Sequence, residues 1–226
     1  FCGQSDTLTF LFTIVSALAV GLIVAPLVAL RGRSFRQLVT GYRSALLYFA
    51  CLGVGFLLVE IVLIQRFILL LGHPVYAISV ILFSLLFFGG LGSYISGRVG
   101  QQRKGSFLKA VLLAVVLLLG LYNLGYAGLL ETFIGLDIVY RIGLTVLLVC
   151  PLGLLMGMPF PMGITAVHDR EPRIVPWAWG VNGTLSVLGS LLAAVLSISF
   201  GFSVALLVGQ LAYLVALVVV VVWPMR

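Results

Sequence analysis

Seven apolar runs, divided by short polar breaks, constrain this chain more than any other feature. They cover residues 8–30, 44–71, 75–96, 107–130, 138–158, 176–200 and 202–223. A helix that crosses a bilayer needs about 20 mainly apolar residues, and most of these runs reach or exceed that. Hydrocarbon offers no water to unpaired peptide groups, so each run has to bond its backbone internally, as a helix does. The expected fold class is therefore all-α: a polytopic transmembrane helix bundle of about seven spans, forming one integral membrane domain over 1–226. The run at 8–30 is longer than a signal-peptide core and no basic residue precedes it, so it is read as a true span. Composition points the same way. The 226 residues are 62% hydrophobic and 8% charged, against about 25% charged in an ordinary soluble domain. Their mean hydropathy is +1.28.

A net charge of +7 could suggest a nucleic-acid partner, but the basic residues lie in the breaks between spans. Seven spans place alternate breaks on opposite sides of the membrane. One side then receives Arg31, Arg33, Arg36, Arg43, Arg98, Arg103, Lys104, Lys109, Arg170, Arg173 and Arg226, and the other only Arg66 and Arg141. That asymmetry is the positive-inside pattern. It predicts an outside N-terminus and a cytoplasmic C-terminus, with the lipid bilayer rather than nucleic acid as the partner. Trp177, Trp179 and Trp223 fall near cytoplasmic span ends, where aromatic belts form. Cys51 and Cys150 lie inside apolar runs and read as small packing residues.

Glu60 is the exception to the apolar pattern. It stands inside the run 44–71 with apolar neighbours on both sides. A carboxylate at that depth is expected to face the bundle interior with a partner, or to be protonated. Arg66 is six residues on, about 9 Å along the axis and on another face. Arg141, on the same membrane side, is an alternative partner, with Asp137 one turn before it as a rival. Gln65, Arg66, His73 and Tyr76 gather at the outer end of two neighbouring spans. With Glu60 and Arg141 they form the candidate polar site, either a proton or cation site or a buried device that fixes helix packing. The turn Gly72-His73-Pro74 could carry a titrating histidine or simply a hydrogen-bonding one.

Other residues read as packing or interface positions. Gly89, Ser93 and Gly97 are spaced by four, as are Ser186, Ser190 and Ala194, and such small-residue stripes let helices approach closely. Asn123 and Asn182 are expected to form interhelical hydrogen bonds. Pro159 and Pro161 break a helix near the cytoplasmic face, which either ends it or exposes backbone to a substrate. No Walker loop, dinucleotide fingerprint, zincin motif or metal-spaced Cys/His set occurs, so neither cofactor nor metal is expected. Two histidines and six carboxylates supply little for acid–base catalysis.

Several of these motifs resemble the C-terminal membrane region of bacterial spermidine-synthase-like multipass proteins. They are Tyr48 to Phe56 through Glu60, Ile64-Gln65-Arg66-Phe67, Leu70 to Ala77, Leu91-Gly92-Ser93, Pro151 to Gly163, and Pro176 to Gly183 with Ser186 to Ser190. The resemblance spans roughly 44–215 and singles out Glu60, Gln65, Arg66, His73, Pro74, Trp177, Trp179 and Asn182. It implies a bacterial inner membrane and a soluble enzyme domain elsewhere, whose glycine-rich cofactor loop and acidic substrate residues do not occur here. Three functions follow as expectations: a non-catalytic scaffold or anchor among other membrane subunits, a small-cation or polyamine transporter centred on Glu60, or the membrane half of an enzyme whose soluble domain lies on a missing segment.

Overall fold

The backbone of a membrane chain has to satisfy itself within each helix, and every long element here does so. The computed structural model describes residues 13–14, 21 and 40–222. The run at 8–30 lies almost entirely outside these, as do Arg31, Arg33, Arg36, Trp223 and Arg226. Among the described residues there is no strand. The order is α1 (Arg43–Leu71), α2 (Pro74–Gly97), α3 (Gln101–Phe133), α4 (Ile138–Met156), α5 (Pro159–His168), a 3-10 turn (Pro172–Ile174), α6 (Val175–Phe200) and α7 (Phe202–Val222). Six helical stretches are long and apolar enough to cross a membrane, with α4 and α5 together forming one of them. The chain is an all-α helical bundle of the integral membrane, multipass type.

The connections follow from local chemistry. Gly72 ends α1 in the left-handed conformation at φ 76°, and its N–H donates to Ile68 O. Pro74 opens α2 at a position where its missing N–H costs nothing, and His73 caps the helix by accepting from Val75 N at 3.2 Å. The α1–α2 hairpin is therefore two residues long. Gly201, at φ 86° and ψ 164°, joins α6 to α7 in a conformation that only glycine adopts readily. Between α5 and α6, Glu171 accepts from Arg173 through both carboxylate oxygens, at 2.8 and 2.9 Å. This hydrogen bonding holds the Glu171 carboxyl below its usual range.

Two elements differ from the sequence expectation. The helix expected at 107–130 extends over Gln101–Phe133, about 50 Å at 1.5 Å per residue, so its polar first turn reaches beyond the hydrocarbon. Pro159 and Pro161 do break a helix at Gly157–Met158, yet a new one starts at once. Proline is compatible with a first turn, because the N–H it lacks has no intrahelical acceptor there. Pro151 lies inside α4, and in the turn before it the Leu148 carbonyl accepts from the Tyr122 hydroxyl of α3.

Helix α1 is the axis. Tyr48, Phe49, Leu58, Leu63, Phe67 and Leu70 are all among the fully buried large side chains. Helices α6, α7 and α2 pack around it, α4 packs on α2, and α3 packs on α7. Glycines permit the closest approaches. A Cβ on Gly53 would stand 2.3 Å from Asn182 O, and one on Gly189 2.7 Å from Val54 O, so α1 and α6 touch backbone to backbone. Between α2 and α4, a Cβ on Gly92 would meet Leu154 O at 2.0 Å, and one on Gly157 would meet Gly89 O at 2.2 Å. Hydrocarbon supplies little hydrophobic drive between helices, so such van der Waals contact is what holds them together. Gly92→Ala or Gly157→Ala is expected to lower stability by about 1–3 kcal/mol or more. Gly90→Ala, whose Cβ meets nothing within 4 Å, is expected to stay within about 0.5 kcal/mol of wild type. Equilibrium unfolding in mixed micelles measures both.

Candidate functional site

The polar residues separate into two groups along α1. Toward its C-terminal end stands Arg66, 2% exposed although it carries a guanidinium. Its Nη2 donates to Asn123 Oδ1 at 2.7 Å and to Ser203 Oγ at 2.9 Å, and its Nη1 to Tyr122 O at 3.4 Å. The guanidinium carbon lies 4.8 Å from the Tyr126 ring centre, within cation–π range. The Tyr126 hydroxyl in turn donates to Arg66 O. Asn123 Nδ2 reaches Ser203 O at 3.2 Å. The cage ties α1, α3 and α7 together with neutral groups only. Among the described residues Arg66 Nε has no hydrogen-bond partner.

Arg141 works similarly one level higher. Its Nη1 donates to Leu70 O at 2.8 Å, one of the last carbonyls of α1, which have no intrahelical donor. Neither arginine pairs with Glu60, and Asp137 starts α4 through its backbone, its carbonyl accepting from Tyr140 N and Arg141 N. Glu60 itself is half-buried. Among the described residues it has neither hydrogen bond nor ion pair; Glu171 pairs with Arg173 instead. Gln65 Oε1 is buried without a partner. His73 and Tyr76 are exposed and stack edge-on at 5.8 Å, and His73 Nδ1 is occupied by the α2 cap. The six expected polar residues therefore do not converge on one site.

The second group lies about 15–20 Å along α1 from Arg66, at 1.5 Å per residue. Here a cavity of about 650 Å³ opens between α1, α2, α4, α5 and α6, with Tyr213 of α7 also in its wall. That falls in the size range of small-molecule pockets, roughly 300–1,000 Å³. Residues that read as packing positions line it: Gly89, Ser93, Trp179, Asn182 and Ser186. The helix break at Gly157 and Pro161 forms another wall. Asn182 Nδ2 donates to Phe49 O at 3.0 Å, and Ser186 Oγ donates to Asn182 O at 2.9 Å. Edge-to-face rings Tyr48, Phe49, Phe160 and Trp179 run from the core to this cavity, with the last pair 4.6 Å apart. Trp177 is half-buried against the core. Ser190 donates to Val187 O within its own helix. Of the stripe Gly89, Ser93 and Gly97, a Cβ on Gly89 would stand 3.7 Å from Gly153 O, whereas Gly97 is exposed and a Cβ there meets nothing within 4 Å.

Sequence reasoning missed Ser203, Tyr126 and Tyr213. The first two lie far from Arg66 along the chain, at separations of 137 and 60 residues. A faint signal existed in Asn123 and Tyr126, spaced three apart on one face of an apolar span. Among the described residues no group of His, Cys, Asp and Glu could hold a metal. The cage yields a clear ordering. Asn123→Leu leaves a buried cation short of its best acceptor, whereas Arg66→Met removes the cation itself. The double variant Arg66→Met/Asn123→Leu is therefore expected to be more stable than Asn123→Leu alone, measured by equilibrium unfolding as a double-mutant cycle. No protein-family model, curated protein or solved structure matches the chain.

Proposed function

We propose that the chain is a non-catalytic membrane module, a scaffold or anchor within a larger membrane assembly. The observation that supports this is the use made of its buried charge. Arg66 is tied to neutral partners on two other helices, α3 and α7, which suits a fastening point rather than a moving charge. The cavity, for its part, has no charged residue among the described residues of its lining. A cation pathway calls for carboxylates facing a water-filled space. The sequence supplies the rest of the proposal: seven spans, an outside N-terminus, a cytoplasmic C-terminus and a bacterial inner membrane. Kinship with spermidine-synthase-like membrane regions, and with it the role of membrane half to a soluble enzyme domain, rests on the quoted motifs alone.

One observation favours a second function. Glu60 has no partner and sits one turn beyond Phe56 and Leu57, on the same side of α1, and those two residues line the cavity. That position suits a small-cation or polyamine transporter. Reconstituted vesicles separate the two. The scaffold proposal predicts spermidine uptake no faster than in protein-free vesicles, for wild type and Glu60→Gln alike. Uptake above background that Glu60→Gln abolishes would replace it with the transporter. In the proposed orientation a membrane-impermeant maleimide labels Gly135→Cys from outside and Ser106→Cys only from the cytoplasmic side. The reverse pattern would invert the topology.

A further inference from the structure

Hydrogen-bonding capacity in the cavity walls is unevenly used. Thr165 Oγ1 donates to Pro161 O and Ser186 Oγ to Asn182 O, both at 2.9 Å. Their protons are committed to their own helices, and their oxygen lone pairs remain as acceptors. Asn182 gives an amide proton to Phe49 O, and no described donor reaches its Oδ1. Two lining hydroxyls donate to no described residue, those of Ser93 and Tyr213. Tyr213 of α7 is 1% exposed and lines the cavity, and its hydroxyl makes no hydrogen bond to any described residue. An unpaired phenol in so apolar a setting is costly, and a ligand oxygen would satisfy it.

The apolar walls include Leu52, Phe56, Leu57, Met156, Phe160 and Ile164, and no charged residue is among the described lining. A phosphate would lose its hydration there with no described cationic residue in the lining to offset the loss. The complement is a long apolar body bearing one neutral oxygen that both accepts and donates a hydrogen bond, which a hydroxyl does. Access runs through the bilayer. Gly90 and Trp179 are the exposed members of the lining, and α2 and α6, which carry them, flank the cavity without packing closely on each other. We propose that this cavity binds a neutral, hydroxyl-bearing lipid of the diacylglycerol type, with its hydroxyl between Tyr213 and Asn182 and its chains among the aromatic walls. This goes beyond the scaffold proposal and stands or falls separately from it.

The test uses the full chain in phosphatidylcholine nanodiscs with a photoreactive diacylglycerol as probe. Phosphatidic acid with the same chains and the methyl ether of the diacylglycerol serve as comparison lipids. Cross-links located by mass spectrometry are expected on the segments 156–165 and 179–186. Loss of one neutral hydrogen bond corresponds to about a fivefold drop in occupancy. The methyl ether and Tyr213→Phe are each expected to show at least that drop, and phosphatidic acid a larger one. Gly90→Phe, whose Cβ has open space around it, is expected to fill the mouth and abolish labelling while melting as wild type does. Equal labelling by the three lipids, undiminished labelling of Tyr213→Phe, labelling that persists in Gly90→Phe, or cross-links confined to the outer face at Phe83 and Phe87 would each overturn the proposal.

Discussion

A guanidinium inside an apolar helix bundle has to be satisfied where it stands, because neither water nor lipid tails will do it. Arg66 meets this with two side-chain oxygens, a backbone carbonyl and the face of a tyrosine. Its acceptors come from α3 and from the start of α7, so the charge cannot be buried until those helices are in place. A hydrogen bond to a charged group contributes about 1.5–3 kcal/mol, and these bonds offset the cost of taking the guanidinium out of water. The Arg141 bond to Leu70 O adds α4 to the same end of α1. Both cations act on neutral groups, and Glu60 is left out of the arrangement.

Away from that end, the bundle is held by proximity. Glycines bring α6 against α1 and α4 against α2 until backbone atoms touch. Two such tight pairs cannot both close on a third neighbour. The space left between them, floored by the short α5, is the cavity. The proline break contributes directly, since α5 starts at Pro159 and presents Phe160, Pro161 and Ile164 to it. Tyr48 fastens the break from below by donating to Pro159 O at 2.8 Å. Scaffold and cavity are thus consequences of the same close packing.

The helices were legible because one constraint dominates them: a backbone in hydrocarbon has almost no alternative, so apolar length and the breaks at Gly72 and Gly201 announce each element. The restart of the helix at Pro159 was not legible, since proline ends a helix and opens one with the same residue. The site was legible only in its parts. Glu60 and Arg66 stand out along the chain because charge in an apolar run is rare, but whether two charges meet depends on side-chain direction, and these two leave α1 on different faces. Asn182 and Ser186 were visible as small polar residues suited to packing. Their place on a cavity depends on a gap between α2 and α6, segments about 90 residues apart, and no local pattern encodes a gap.

Arg66 is held by neutral partners on α3 and α7 and not by Glu60. Solid-state NMR of the labelled chain in lipid bilayers reads this directly, through contacts from the Arg66 guanidinium nitrogens. Cross-peaks are expected to the Asn123 side-chain carbonyl and the Ser203 Cβ, with none to the Glu60 carboxyl. A strong cross-peak to Glu60, with those to Asn123 and Ser203 missing, would contradict it.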